Sequence, residues 1–140
     1  MIVSTKGRYT LRVMIDLAEH PTGGFVPLQE IADRLQISKE YLSSILKILV
    51  QNDQLVSLRG KGGGYRLCKR AEEYSIGTIL RLVEGDLAAV SCVQEHEHCP
   101  AASRCRSYAM WTELNGLVNR YLDGLRLSDF LQGGHFYIEG

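Results

Sequence analysis

Two amphipathic helices joined by a very short connection and followed by a glycine-rich hairpin constrain the fold of this chain more than any other feature. Apolar residues recur at helical spacing in both segments. The two packing faces would consist of Leu28, Ile31, Ala32 and Leu35, and of Leu42, Ile45, Leu46 and Leu49. Two strand-like segments, 55–58 and 65–67, flank the tip Arg59-Gly60-Lys61-Gly62-Gly63-Gly64. Helix, short turn, helix and hairpin in this order predict a winged helix-turn-helix domain.

Further helices are predicted on both sides of this unit. The first covers residues 6–20, and another covers 76–84, with Ser75 as its N-cap and Gly85 as its left-handed terminator. A long helix covers 103–125, and the residues with the spacing of a heptad seam are Trp111, Leu114, Val118, Tyr121 and Leu125. Such a seam packs along another helix, so we expect the long helix to pair with that of a second copy in a homodimer.

The expected fold is therefore mainly α with a small β wing. We expect a winged helix-turn-helix domain over 1–85 and a loop over 86–106. The dimerisation helix and a short terminal helix would occupy 103–132, followed by a tail over 133–140.

The charges are divided unequally between the halves of the chain, although the net charge is zero. Residues 1–70 contain 11 Lys and Arg against 6 Asp and Glu, and residues 71–140 contain 5 against 10, which gives +5 and −5. A basic first half is where a polyanion such as DNA would bind.

Other features narrow the class of protein. No apolar run approaches the length of a bilayer span, and the N-terminus lacks the apolar core of a secretory signal, so we expect a cytoplasmic protein without a membrane partner. We find no nucleophile–base pair and no paired carboxylates in a plausible pocket, so we do not expect an enzyme.

The third helix and the hairpin tip carry the residues suited to DNA. A recognition helix presents small or polar side chains to base edges while its other face packs, and a glycine-rich tip lets an arginine approach a groove. The predicted DNA-contacting residues are Arg8, Ser38, Tyr41, Ser43, Ser44, Lys47, Arg59, Gly60 and Lys61. Either element alone could be an ordinary amphipathic helix or a solvated turn. Their order, together with the basic half-chain, favours DNA binding.

Three cysteines, Cys92, Cys99 and Cys105, fall within fourteen residues. Soft thiolates in one loop suit an iron–sulfur cluster or zinc, and we expect Cys105 in the first turn of the long helix. Three inert side chains, or one disulfide and a spare thiol, are the alternatives. Either metal centre needs a fourth ligand, for which the candidates are His96, His98 and His135. Cys68, in the wing, is expected to have a structural role.

Three motifs together resemble the IscR-type winged-helix regulators, a family that also contains NsrR and CymR. They are Ser4-Thr5-Lys6-Gly7-Arg8-Tyr9, the helix-turn-helix pairs Ile31-Ala32, Ile37-Ser38 and Tyr41-Leu42, and the wing Arg59-Gly60-Lys61-Gly62-Gly63-Gly64-Tyr65. The resemblance covers about residues 1–130. It implies a dimeric repressor-type transcriptional regulator that binds a pseudo-palindromic operator in double-stranded DNA. It further implies a [2Fe–2S] cluster on Cys92, Cys99 and Cys105, and control of genes for iron–sulfur cluster biogenesis.

The chain departs from this family pattern at several positions. Tyr108 stands where IscR-like proteins often have a histidine ligand, and the first cysteine interval is one residue longer than expected. Arg8 replaces an acidic residue of NsrR-like proteins, Ser43 replaces a common Glu, and Lys61 replaces a common Pro.

The tail His135-Phe136-Tyr137-Ile138 resembles the end of CymR, which contacts a cysteine-biosynthesis enzyme. The alternatives are therefore a CymR-like regulator of cysteine metabolism and a regulator with structural zinc. An iron–sulfur electron carrier is more remote, because it would need neither the wing nor the basic half.

Overall fold

Five α-helices and two strands form the computed structural model, which describes residues 3–94 and 99–139. The elements are α1 (Thr5–Glu19), α2 (Leu28–Leu35), α3 (Lys39–Gln51), β1 (Leu55–Leu58), β2 (Gly64–Leu67), α4 (Ile76–Glu84) and α5 (Tyr108–Gly124). Short 3₁₀ turns cover Ala71–Glu73, Ser91–Val93 and Leu127–Phe130. The predicted mainly α fold with a small β wing is confirmed. No helix in the described part of the chain is long and apolar enough to cross a membrane.

The core lies between α1, α2, α3 and α4. It is formed by the apolar stripes expected from the helical spacing, because each helix buries one face against the others. The fully buried residues include Val13, Met14, Ile31, Leu42, Ile45, Leu46, Leu49, Ile76, Ile79 and Leu127. Leu127 lies beyond α5, so the turn at 127–130 closes the core from the C-terminal side.

The helix-turn-helix connection depends on two local features. Gln36 adopts a left-handed conformation (φ 54°, ψ 49°) and ends α2. Two residues later the Ser38 hydroxyl accepts a hydrogen bond of 3.2 Å from the Tyr41 backbone N–H and caps α3. The turn therefore sets the direction of α3 relative to α2.

Helix α4 ends at the two predicted residues, with Ser75 at the N-cap and Gly85 at the C-cap, but neither residue has the expected capping geometry. Ser75 makes no capping hydrogen bond with its side chain. Its hydroxyl instead donates to the carbonyl of Asp123 at 3.2 Å and ties the start of α4 to the end of α5. Gly85 has φ 77° and ψ −82°, which is not the left-handed helical conformation.

The hairpin packs against the connection between α1 and α2. Residues Val26 and Tyr65 exchange two backbone hydrogen bonds, of 2.8 and 2.9 Å, so Val26 is a second partner of β2 besides β1. Gly64 (φ 147°) lies directly against the Val26 carbonyl, where a Cβ atom would collide with backbone. Across the hairpin, Val56 faces Arg66 and Ser57 faces Tyr65. Because side chains alternate along a strand, these two pairs lie on opposite faces of the wing.

An ion pair joins α1 to α2 behind the helix-turn-helix unit. The guanidinium of Arg34 donates to both carboxylate oxygens of Asp16, at 2.9 and 2.8 Å, and Asp16 is only 5% exposed. The carboxylate of Asp16 raises the pKa of Arg34, chiefly through this hydrogen bonding. The pair therefore fixes the orientation of α2 on α1.

We expect Asp16→Ala to lower the free energy of unfolding by about 3 kcal/mol, because it leaves a partly buried guanidinium without its main partner. Denaturant titration by circular dichroism at neutral pH would measure the change. Glu30→Ala is the matched control: Glu30 also contacts Arg34, at 3.1 Å, but is 53% exposed, so its loss should cost less than about 1 kcal/mol. Equal effects of the two substitutions would contradict the assignment of Asp16 as the main partner of Arg34.

The long helix begins later than predicted. Residues 99–107 form successive turns, with hydrogen bonds from Ala102 N to Cys99 O (3.1 Å) and from Arg104 N to Ala101 O (3.0 Å). Polar side chains here bond locally and compete with helix formation. The Cys105 thiol contacts the Ser107 hydroxyl at 3.3 Å. The first bond of α5 runs from Trp111 N to Ser107 O, so the placement of Cys105 in the first helical turn is wrong.

Candidate nucleic-acid interface and cysteine segment

The N-terminal halves of α1 and α3 are linked by stacked side chains. The rings of Tyr9 and Tyr41 meet edge to face, with centroids 5.7 Å apart, and the Arg12 guanidinium lies 4.8 Å from the centre of the Tyr9 ring. Arg8, one turn before Arg12, is exposed and donates to the Thr5 hydroxyl at 3.2 Å. The start of α1 thus presents two cations beside the start of α3.

The two serines of α3 differ in what their hydroxyl groups can do. The Ser44 hydroxyl donates to the Tyr41 carbonyl at 2.7 Å, and its side chain is half-buried. Ser43 is exposed, as is Lys47 one turn later. The face of α3 that is free to meet a ligand therefore contains Ser43 and Lys47, while Ser44 is engaged within its own helix.

A cleft of about 240 Å³ separates α3 from the wing, and we call it the front cleft. It is lined by Ser43 and Lys47 from α3 and by Ser57, Arg59 and Tyr65 from the hairpin. Three residues predicted to contact DNA, Ser43, Lys47 and Arg59, therefore share one surface. Gly60 and Lys61 lie exposed at the adjoining tip, where Gly60 has φ 91°.

Two residues of the front cleft, Ser57 and Tyr65, are absent from the DNA-contacting residues predicted from sequence. They are cross-strand partners on the face of the hairpin toward α3. Side chains alternate along a strand, so the residue two before Arg59, Ser57, is expected on the same face, and strand pairing then adds Tyr65.

The cations of this surface carry no ion pairs within residues 3–94 and 99–139. Arg8, Lys47, Arg59 and Lys61 are exposed, and no carboxylate of the described chain lies within salt-bridge distance of them. Unpaired guanidinium and ammonium groups on a concave surface attract phosphate. The arrangement is suited to a nucleic-acid backbone beside an inserted helix.

We expect Arg59→Ala to weaken DNA binding about tenfold and to reduce the slope of log K against log salt by about one. Fluorescence anisotropy at several salt concentrations would measure both. Arg66→Ala is the matched control, because Arg66 lies on the opposite face of the same hairpin. A substitution at Ser43 should change which DNA sequence the protein prefers, whereas Arg59→Ala lowers affinity for all sequences. An affinity and a salt slope both unaltered by Arg59→Ala would contradict the wing assignment.

The cysteine segment connects α4 to α5. Cys92 lies in the turn Ser91–Val93 and Cys99 opens the turns that follow, both half-buried, whereas Cys105 is exposed. All four cysteines of the chain are free thiols. The Ser107 hydroxyl, followed by backbone N–H groups, lowers the pKa of the Cys105 thiol and so favours its thiolate.

The geometry of the described residues leaves the proposed ligands unassembled. Within 3–94 and 99–139, no group of three Cys, His, Asp or Glu side chains is close enough together to hold a metal ion. Two candidates for the fourth ligand, His96 and His98, lie outside the described residues. Thiols fit the chemistry of an iron–sulfur cluster or zinc. Because the three thiols are apart in this structure, Cys92, Cys99 and Cys105 would bind either centre only after the segment rearranges.

The third candidate, His135, lies at the far end of α5. Its ring meets that of Phe136, with centroids 4.6 Å apart, and Phe136 N–H donates to the Asp129 carbonyl at 2.7 Å. Cys105 precedes the other end of this 17-residue helix, which spans about 25 Å. His135 of the same protomer is therefore remote from Cys105.

One face of α5 is apolar and exposed. It consists of Met110 (52% exposed), Leu114 (37%), Leu117 (53%) and Tyr121 (60%), spaced 4, 3 and 4 residues apart. We call it the α5 stripe. The predicted seam shares Leu114 and Tyr121 but is rotated by roughly 50°. Its other members, Trp111, Val118 and Leu125, are half-buried, and Leu125 packs on the core.

The contact between α4 and α5 explains the rotation. Arg81 donates to Asp123 at 2.6 Å and also bonds Asn119, which turns that face of α5 toward the protomer. Residues neighbouring Asn119 and Asp123 are thereby drawn inward. The α5 stripe, about half a turn away around the helix, remains free to pack along another helix.

Comparison with known proteins covers nearly the whole chain. The model of the Rrf2 family, described as iron-dependent transcriptional regulators, matches residues 3–133. The HTH-type transcriptional regulators IscR of Aliivibrio salmonicida and Pectobacterium atrosepticum are each 34% identical over 131 residues, which is 94% of this chain and 77% and 79% of theirs.

Two solved structures are also similar. CymR (YrzC), the global cysteine regulator of B. subtilis, has a TM-score of 0.76 at 33% identity, covering 93% of this chain and 95% of that chain. IscR of T. potens has a TM-score of 0.73 at 30% identity, covering 93% and 85%.

Proposed function

The chain belongs to the Rrf2 family of transcriptional regulators, and with that as the premise we propose that it is a homodimeric repressor that senses a [2Fe–2S] cluster through its cysteine segment. The family is one of DNA-binding regulators and not of enzymes. The controlled genes would be those for iron–sulfur cluster biogenesis, so that the supply of clusters regulates their own assembly.

The observation that carries the DNA-binding part is the front cleft. Ser43 and Lys47 of α3 share it with Arg59 of the wing, and the two cations are unpaired within the described part of the chain. In this arrangement α3 enters a major groove while the wing lies along the adjoining backbone or minor groove. Ser43 is short enough for close approach, so it would read base edges, and Lys47 would contact phosphate.

The operator would be a pseudo-palindrome with two half-sites. The α5 stripe supports this part of the proposal, because pairing of two stripes around a two-fold axis would cover four exposed apolar side chains in each copy. Two recognition helices related by that axis read half-sites separated by about one turn of DNA. Affinity should consequently fall steeply with salt.

The cofactor part rests on the chemistry of the donor set. Cys92, Cys99 and Cys105 would hold the cluster, with His96 or His98 as the fourth ligand in preference to the remote His135. The lowered pKa of Cys105 favours the thiolate, which is the form that binds metal. The cluster would supply a centre whose presence depends on iron supply and oxidation. Its binding would draw together the segment that joins α4 to α5.

A route from the cysteine segment to the DNA-binding surface passes through the end of α4. The carboxylate of Glu84 accepts hydrogen bonds from the Ser4 backbone N–H (2.9 Å) and hydroxyl (2.5 Å), and Ser4 caps α1. On the preceding turn Arg81 holds α5. Rearrangement of the cysteine segment would therefore change the positions of α1 and α5 together, and DNA affinity would change if the two arrangements bind DNA unequally.

Anaerobic reconstitution with ferrous iron and sulfide tests this function. We expect visible charge-transfer absorption, near-stoichiometric iron and sulfide, and an altered affinity for a pseudo-palindromic operator. A colourless protein with one zinc ion per chain would replace the cluster with a structural zinc site. A coloured protein with a reversible potential and no DNA binding would point to an electron carrier instead.

A second candidate is a CymR-like regulator of cysteine metabolism. It is favoured by the tail, which is anchored by stacking of Phe136 on Phe130 (5.1 Å) and leaves Tyr137 and Ile138 exposed, at 40% and 87%. An exposed apolar terminus could contact a cysteine-biosynthesis enzyme. Deleting residues 137–140 should then abolish binding to such an enzyme without altering DNA affinity, as measured by biolayer interferometry.

A further inference from the structure

A second and larger cleft lies behind the wing, and we call it the rear cleft. The hairpin separates it from the front cleft: Ser57 and Tyr65 line the front, whereas Val56 and Arg66, their neighbours on the opposite face, line the rear. The rear cleft has a volume of about 780 Å³ and extends to the end of α1 and the connection before α2. It lies within the size range of small-molecule sites.

The lining of the rear cleft combines an apolar floor with a basic edge. Leu17 and Val26 are buried core residues that contribute to the floor. At the edge the Arg66 guanidinium lies 4.6 Å from the centre of the Phe25 ring, and the Lys69 ammonium lies 5.2 Å from that of Tyr74. These aromatic faces hold both cations in place without neutralising their charge.

Neither cation has a carboxylate partner in the part of the chain that the structure describes. Arg70, the next basic residue, differs because it lies 3.6 and 3.7 Å from the carboxylates of Glu72 and Glu73. The positive charge available to a ligand in the rear cleft is therefore concentrated on Arg66 and Lys69. An anion placed beside either cation would gain a charge-assisted hydrogen bond from it.

We propose that the rear cleft is a binding site for a small organic anion with an apolar body. The acid group lies between Arg66 and Lys69, and the apolar part lies over Leu17 and Val26. The site adds a ligand input separate from the cysteine segment. A ligand bound in the rear cleft would stabilise the position of the wing from the side opposite α3, where Val26 is hydrogen-bonded to Tyr65 of β2.

A pair of probes that differ only in charge tests the site on the full-length protein. Anilinonaphthalene sulfonate has an aromatic body and one sulfonate, and N-phenylnaphthylamine has the same body without it. We expect the sulfonate to bind about tenfold more tightly than the neutral probe, because the charge-assisted bonds are lost with the acid group. Arg66→Ala and Lys69→Ala should each weaken binding of the sulfonate about tenfold and leave that of the neutral probe nearly unchanged.

Arg59→Ala is the matched control, since it removes a positive charge from the same hairpin outside the rear cleft. It should weaken DNA binding and leave probe binding intact, whereas Arg66→Ala and Lys69→Ala should do the reverse. Amide chemical shifts in nitrogen-15 spectra should move at Gly23, Gly24 and Lys69 and remain in place at Ser43.

Three results would overturn the site. Sulfonate affinity unaffected by Arg66→Ala and Lys69→Ala would place the probe elsewhere. Equal affinity for the two probes would remove the role of the charges. A loss of DNA affinity in Arg66→Ala equal to that in Arg59→Ala would assign these cations to DNA. Because the assay uses no cluster, its outcome is independent of whether the cysteine segment binds one.

Discussion

Leu117→Glu should convert the protein to a monomer and lower its affinity for a two-half-site operator by roughly a hundredfold. Leu117 is 53% exposed and lies in the middle of the α5 stripe. Pairing of two stripes would bury it beside its own symmetry mate, where two carboxylates would repel each other and lose water. Analytical ultracentrifugation would measure the mass, and fluorescence anisotropy the DNA affinity.

The matched control introduces the same charge elsewhere on the helix. Thr112 is exposed and lies about 140° around α5 from Leu117, so Thr112→Glu should remain dimeric. Both variants should keep the thermal stability of the helix-turn-helix core, because no α5 residue is fully buried in the protomer. Dimeric Leu117→Glu with normal DNA affinity would show that the stripe is not the dimer interface.

Replacing Cys92, Cys99 or Cys105 singly with alanine should abolish the visible absorption of the reconstituted protein. Each substitution removes one of the three thiolates in the segment between α4 and α5, and a cluster needs four protein ligands. Iron and sulfide content measured beside the absorption spectrum would quantify the loss. We expect the effect on DNA affinity to match that of withholding iron from the wild type.

Cys68→Ala provides the control for cysteine loss as such. The Cys68 thiol lies in the wing region, where it donates to the Asp53 carbonyl at 3.1 Å, and this variant should retain the cluster. Replacing His96 and His98 one at a time would identify the fourth ligand, while His135→Ala should have no effect. Absorption retained in all three cysteine variants would rule out the assigned ligands.

Local patterns predicted the DNA-binding half closely. The predicted strand over 55–58 coincides with β1, and the apolar stripe expected for the third helix is the buried face of α3. These features depend on residues within one or two turns of each other, where spacing and capping chemistry decide the conformation. Lys47 was identifiable as an exposed cation from the period of α3, and Arg59 from its place in the glycine-rich tip that follows β1.

Patterns were less informative where distant contacts decide the outcome. The alternation of apolar residues on α5 permits two overlapping seams, one through Trp111 and one through Met110. Contacts with distant elements, among them that of Arg81 with Asp123 and Asn119, select which face turns inward. The turns before Tyr108 likewise replace a helical start that the composition of residues 103–107 allows.

The amino-acid sequence by itself determined the helix-turn-helix, the glycine-rich wing and the grouping of three thiols, because each is encoded by neighbours along the chain. The tertiary structure alone decided which residues share a surface. It brought Ser43 of α3 to Arg59 of the wing, and it left the α5 stripe uncovered. It also opened the rear cleft between α1 and β2. These outcomes depend on packing between elements far apart in sequence, about which local periodicity carries no information.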